Sequence, residues 1–346
     1  MQAPTRWARP DAPGKLMDMR GFDPKWRDVP DFVIGITKEI WEDRRIASLN
    51  RRYAPGLIVR SPASVLVDNS RVIAATLATL AEFPDRELLG EDVIWCEDPA
   101  GADAESEAFL SSHRLICTAT HTRPGLYGAP TGRRVHYRIL ADCAISHDRV
   151  NDEWLVRDQG AIVRQLGFEV VDWTRELIAR EGGPEHCLKP MSSANDVAGP
   201  YTGRGNDNAW GQRLADILSR IMAADLAVIP AEYDRACNLE YAGGVSGFGW
   251  SEADRFWIGL RAAFPDAAFR IEHAIGRDDP LMPPRAAVRW SLQGKHSGWG
   301  SFGRPTRAEV YVMGMTQAEF GPWGLRREYT LIDETAIWKQ ILLATG

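Results

Sequence analysis

The chain repeats itself. Residues 83–99 match residues 264–280 at seven of seventeen positions: Phe83, Pro84, Asp85, Glu91, Ile94, Asp98 and Pro99. Residues 120–167 match 295–342 without a gap at eleven of 48: His121, Gly125, Gly128, Pro130, Thr131, Val135, Glu153, Asp158, Ala161, Ile162 and Gln165. Chance at average composition gives roughly one match in sixteen. The offset drops from 181 to 175 across the sequence GADAESEA, a surface-type loop where an insertion costs little. Two copies of about 140 residues are tandem domains and not a solenoid, whose units are shorter and more numerous.

Within each copy helices precede strands. Apolar residues at Ile36, Ile40, Ile46 and Leu49 recur near the 3.6 period and predict a helix over 33–52. A second helix, 70–83, has Asp68 or Asn69 as cap and stops at Phe83-Pro84-Asp85, because a residue before proline avoids the helical region. The period then changes to two, predicting strands over 88–98, 108–122, 133–146 and 153–163, with a helix over 170–180. The second copy predicts helices at 212–225 and 252–264, strands at 269–277, 285–295, 308–317 and 325–334, and a last helical turn to 343. Runs of strands without intervening helices imply an α+β class with largely antiparallel sheets. The expected organisation is an extended leader over 1–27, a first domain over 28–182, a linker over 183–206 and a second domain over 207–346.

The 346 residues carry a net charge of −6, which offers neither a basic nucleic-acid footprint nor a polybasic membrane anchor. No apolar run approaches the roughly 20 residues that cross a bilayer. The N-terminal sequence lacks the apolar core of a secretory signal. Cys96, Cys117, Cys143, Cys187 and Cys237 are odd in number and far apart, so they read as reduced and buried. The expectation is a cytoplasmic protein with a small-molecule partner, without nucleic acid or membrane, whose domains pair within the chain and which can form further homo-oligomers.

Several residues could carry chemistry. Trp154, Val156 and Asp158 share one face of the last strand of the first copy, as Tyr329, Leu331 and Asp333 do in the second. If that face lines a cavity, the carboxylate is desolvated and its pKa rises into general acid/base range. Equally, Asp158 and Asp333 could simply cap the helices that follow. His121 and His296 each end a strand before a Gly-rich loop, either to orient substrate or as loop histidines bonded to backbone. Arg114 and Arg289 coincide at the 175 offset and either bind a substrate oxyanion or face solvent. Trp95, Trp154, Trp290 and Trp338 either wall a ligand pocket or fill the core. His113, His136, His147 and Asp142 share a sheet without a metal-binding spacing, so no metal site is expected. The stretch AGGVSGFGW (242–250) is a poor phosphate loop.

In their order, FPD (83–85), TH (120–121), GAPTGR (128–133), EW (153–154), Asp158 and QLG (165–167) resemble the SnoaL-like polyketide cyclase family. That family belongs to the nuclear-transport-factor-2-like superfamily. The resemblance covers residues 30–170 well and 207–343 more weakly. It implies a cone-shaped, curved antiparallel sheet around helices with an apolar pocket, one per copy. It further implies a cofactor-independent aldol closure or isomerisation of a carbonyl compound. In that chemistry Asp158 is the acid/base and His121 assists, while Trp154, Trp95 and Arg114 bind substrate. Asp333, His296 and Tyr329 are the second-copy equivalents. The second copy departs from the pattern at Arg307-Ala308, Tyr329 and Gln340-Ile341-Leu342. The other function class is a non-catalytic binding or scaffold protein built as an internal pseudo-dimer.

Overall fold

A computed structural model describes residues 17–346; of the leader expected over 1–27, residues 1–16 lie outside the described residues. Residues 17–27 are packed, not extended: Phe22 meets Phe32 edge-on at 5.2 Å and Trp26 donates to Asp148 Oδ1 at 2.9 Å. The first unit runs α1 (Val29–Trp41), a 3-10 turn (Ile46–Ser48), α2 (Leu49–Arg52), β1 (Tyr53–Ser61), β2 (Ser64–Val67), α3 (Asn69–Glu82), β3 (Glu87–Glu97), β4 (Ala108–Thr120), β5 (Arg134–Ser146), β6 (Arg149–Arg157), α4 (Gln159–Leu166) and α5 (Val170–Arg180). The second runs α6 (Ala209–Met222), α7 (Val228–Glu232), β7 (Tyr233–Tyr241), β8 (Val245–Phe248), α8 (Trp250–Ala263), β9 (Ala268–Arg277), β10 (Arg285–Lys295), β11 (Glu309–Gly321), β12 (Gly324–Leu331) and α9 (Glu334–Thr345).

The duplication is visible in the topology. One sheet has the order β2-β1-β6-β5-β4-β3 and the other β8-β7-β12-β11-β10-β9, so each strand has its counterpart in the same place. The class is α+β, with one parallel pair per sheet, β1 with β6 and β7 with β12. That pair arises because α3 and the meander β3–β5 separate β1 from β6 in the chain.

Three expectations need correcting. The helix expected over 33–52 breaks after Trp41, where Arg44 takes a positive φ of 57°. It starts earlier, capped by Asp28, whose carboxylate accepts the Asp31 amide at 2.7 Å. The strand expected to reach 163 ends at Arg157, since Asp158 accepts the Ala161 amide at 3.0 Å and starts a helix. The hairpins β1–β2 and β7–β8 were unforeseen; Pro55, Gly56 and Pro62 disguise the first.

Each sheet buries both faces. One face of β4–β6 packs against the unit's own helices, with Phe32, Val33 and Ile36 of α1 in that core. The other face meets the second unit's sheet, where Leu140, Trp154 and Val156 pack with Met313, Met315 and Leu331. The seam is reciprocal. Arg114 donates to Gln317 Oε1 at 2.8 Å and lies 3.6 Å over the Tyr329 ring. Arg289 donates to Asp142 Oδ2 at 3.1 Å and lies 4.0 Å over Trp154. The pairs 114/289, 142/317 and 154/329 exchange under the repeat, as in an isologous dimer. Asp142 is 2% exposed and Arg289 8%. Asp142→Ala therefore strands a buried guanidinium, and we expect urea denaturation to show a loss of about 3–5 kcal/mol. Among the described residues no helix is long and apolar enough to cross a membrane.

Candidate active site

The helix-facing side of the first sheet leaves a cavity of about 490 Å3, floored by β4–β6 and walled by α3, α5 and residues 125–127. The duplication shows why it is open. In the second unit the corresponding space holds Tyr241, Phe256, Trp257 and Trp290, the last two fully buried, with the Trp290 indole donating to Thr316 Oγ1 at 3.1 Å. The first unit carries Ser61, Ala75, Thr76, Leu115 and Ala141 at the matching positions, and all five line the cavity. Four aromatic rings have been exchanged for small side chains.

Strand register sets what faces this space. Cys143 pairs with Glu153, Ala141 with Leu155 and with His113, and Ile139 with Arg157 and with Leu115. Thus Glu153, Leu155 and Arg157 point inward, opposite in parity to Trp154 and Val156. Burial raises the Glu153 carboxyl to about 7, against the pull of a hydrogen bond from Tyr53. Burial alone lowers the His113 imidazole to about 4 and keeps it neutral.

Glu328 is the second-unit counterpart of Glu153. It is closed off by three hydroxyls, Tyr233 at 2.7 Å, Tyr241 at 3.0 Å and Thr330 at 2.6 Å. Tyr53 stands where Tyr233 does, but Ser61 and Leu155 replace the other two donors. Glu153 therefore keeps acceptor capacity towards open space. The sequence carried one trace of this, the Glu153–Glu328 match, with tyrosines 53 and 233 at an offset of 180.

Of the catalytic and binding candidates named from the sequence, Asp333 lines this cavity and the others fall elsewhere. Asp158 is buried but outside the cavity lining. Its carboxylate accepts the Ala161 amide of its own helix, the Gly243 amide at 2.8 Å and the Gly244 amide at 2.9 Å. Gly243 and Gly244 have positive φ, 86° and 73°, and form a backbone cradle for this anion. The Gly-rich stretch thus receives a carboxylate from the other unit. Burial raises Asp158 to about 7 against these amides. Asp333, its counterpart, caps α9 through Thr335 and Ala336. It lines the first unit's cavity, because α9 crosses over and brings Thr335, Ala336 and Lys339 with it. Burial raises Asp333 to about 6.

His121 is not a lining residue either. Its backbone pairs with Arg133 and Gly132, and its Nδ1 lies 3.2 Å from Thr131 Oγ1, with Nε2 3.2 Å from Glu82 Oε1. His296 repeats the clamp with Ala308, Arg307 and Thr306. Trp154 lines one seam cleft, while Arg114 and Tyr329 line another. Trp95 packs against Phe109 with Arg277 3.8 Å over its ring. Trp154, Arg114 and Tyr329 stand away from the cavity because sheet-to-sheet packing claims the face that the expectation assigned to a pocket.

Asp158→Asn replaces one carboxylate oxygen by an amide nitrogen facing a backbone N–H. A loss of about 1–3 kcal/mol is expected in a denaturant melt, with no change in ligand affinity.

No family model matches the chain, and no curated protein does. Solved structures are similar over part of it. Wild-type IdmH from Streptomyces antibioticus is 20% identical over 40% of this chain and 97% of its own, with a TM-score of 0.34. TsrD from Streptomyces laurentii is 16% identical over 40% of this chain and 94% of its own, at 0.33. A SnoaL-like polyketide cyclase from Agrobacterium tumefaciens is 19% identical over 39% of this chain and 98% of its own, at 0.30. The chain is a tandem of two α+β units, and its likeness to SnoaL-like polyketide cyclases extends over one unit's length at a time.

Proposed function

We propose that the first unit's cavity is the active site of an acid/base enzyme acting on a small, mostly apolar carbonyl compound. Glu153 takes a proton from the carbon beside the carbonyl, and the neutral His113 ring donates a hydrogen bond to the enolate oxygen. The proton returns to a different carbon, giving isomerisation. Alternatively the enolate carbon attacks a second carbonyl of the same molecule, and Glu153 returns the proton to the new alkoxide, giving aldol closure. The observation that carries this reading is the contrast between the copies: one glutamate walled in by three hydroxyls, its counterpart open to a cavity.

Such chemistry needs a base whose pKa lies near the working pH, an enolate stabiliser and a substrate held folded. The second unit acts as scaffold, its α9 closing one side of the cavity. The scaffold alternative is favoured for that unit by its filled interior. We place the protein in the cytoplasm, where its five unpaired, buried thiols stay reduced.

The test is α-proton exchange. Nuclear magnetic resonance in heavy water, with a panel of aryl ketones and keto acids, should show catalysed deuterium uptake beside the carbonyl. The rate should climb with pH and level off above about 7, as Glu153 ionises. No exchange across the panel, or a rate indifferent to pH between 5 and 9, overturns the reading.

A further inference from the structure

We propose that the ligand of this cavity is an organic acid, its carboxylate seated between Arg86 and Arg157. The inference deepens the reading above and rests on the first unit's cavity being the ligand site.

Five arginines buried elsewhere hold carboxylates. Arg52 is paired with Glu39 and Asp148, Arg60 with Asp152 and Asp196, Arg114 with Glu91, Arg285 with Asp92 and Asp279, and Arg289 with Asp142. Arg86 is as buried as these, at 1% exposure, and lines the cavity. Its Nε meets the Tyr137 hydroxyl at 3.1 Å and Cys117 Sγ at 3.2 Å, and its plane lies 4.2 Å over Trp41. Its Nη1 is buried without a hydrogen-bond partner. Arg157 lines the same cavity, and its Nε is likewise buried and unpartnered. Among the described residues neither forms an ion pair.

The cavity's own carboxylates do not answer them. Glu82 accepts the Leu126 and Tyr127 amides at 3.0 and 2.8 Å. Asp333 is held by Thr335 and Ala336, Glu153 by Tyr53, and Glu181 is paired with Lys339. A buried cation is ordinarily paired, and one left unpaired beside open space is a receptor for an anion brought from outside. The guanidinium fork favours a carboxylate, and the apolar walls of Trp41, Leu115, Ile139 and Trp173 suit an aromatic or aliphatic body.

The experiment uses 1-naphthaleneacetate and its neutral amide, 1-naphthaleneacetamide, with titration calorimetry on the full chain at pH 7. The acid is expected to bind about tenfold tighter or better, a preference of the size charge-assisted bonds give. Arg86→Gln and Arg157→Gln should each remove most of that preference while leaving the amide's affinity in place. Equal affinities in the wild type, or no binding of either probe, overturn the inference, and this comparison stands even if a variant fails to fold. So does an acid preference untouched by both substitutions. The readout involves no turnover, so loss of the acid/base reading leaves the preference intact. Loss of the preference, in turn, leaves exchange on neutral ketones.

Discussion

Glu153→Gln lowers the rate of α-proton exchange by about 10²–10⁴-fold, the span over which a positioned general base contributes. The amide keeps the shape of the side chain and can still accept from Tyr53, but it cannot take a proton at neutral pH. A second readout separates loss of chemistry from loss of fold. Glu153 has its pKa raised from 4.5 to about 7 by burial. A carboxyl so raised supports the folded state fully below 4.5 and loses that support as pH climbs through 7. Glu153→Gln is therefore expected to melt higher than the wild type at pH 8 and to show little difference near pH 4. A variant that melts lower than the wild type at every pH, or one with full exchange activity, contradicts the assignment.

The triple substitution Leu115→Trp, Ile139→Gly and Ala141→Thr closes the cavity. It copies into the first unit the pair that fills the second, where Trp290 donates to Thr316 Oγ1 at 3.1 Å and is fully buried. Residues 115 and 290 occupy matching places on β4 and β10, as do 139 and 314, and 141 and 316, on β5 and β11. The indole needs the glycine: a Cβ at Gly314 would lie 2.2 Å from the Trp290 ring, so Ile139, its counterpart, has to be removed as well. Filling the cavity is expected to abolish binding of both naphthalene probes in the same calorimetric titration. Retained binding with the indole in place would move the ligand site to one of the seam clefts.

The sequence told most about what the two copies share and least about where they differ. The helix over 70–83, the strands over 88–98 and 285–295 and the helix over 170–180 stand within a residue of their expected bounds. Regular periodicity needs nothing beyond local burial to be read. Parity was read correctly within the strand: Trp154 and Val156 lie on one side of β6, and Leu155 and Arg157 on the other. Which side holds the cavity was not legible, because Ile139 and Leu140, neighbours on opposite faces of β5, are both buried. Alternation names a face only when one of the two is wet.

The residues that match between copies misled for a related reason. Both copies must fold, so both retain the clamp of His121 with Thr131, the ring packing of Phe83 on His121 at 5.3 Å, and the helix cap of Asp158. The cavity exists where the copies disagree, at 61, 75, 76, 115 and 141. Glu153 belongs to both sets. It matches Glu328 in identity, and only its neighbours, Ser61 and Leu155 against Tyr241 and Thr330, make it available.

The most direct measurement is a crystal structure of the full chain soaked with 1-naphthaleneacetate. The account predicts one molecule per chain, inside the first unit, with its carboxylate on Arg86 and Arg157 and the ring beneath Trp41 and Trp173. Density in the second unit's interior, or only in the clefts between the sheets beside Trp154 or Arg114, would contradict it.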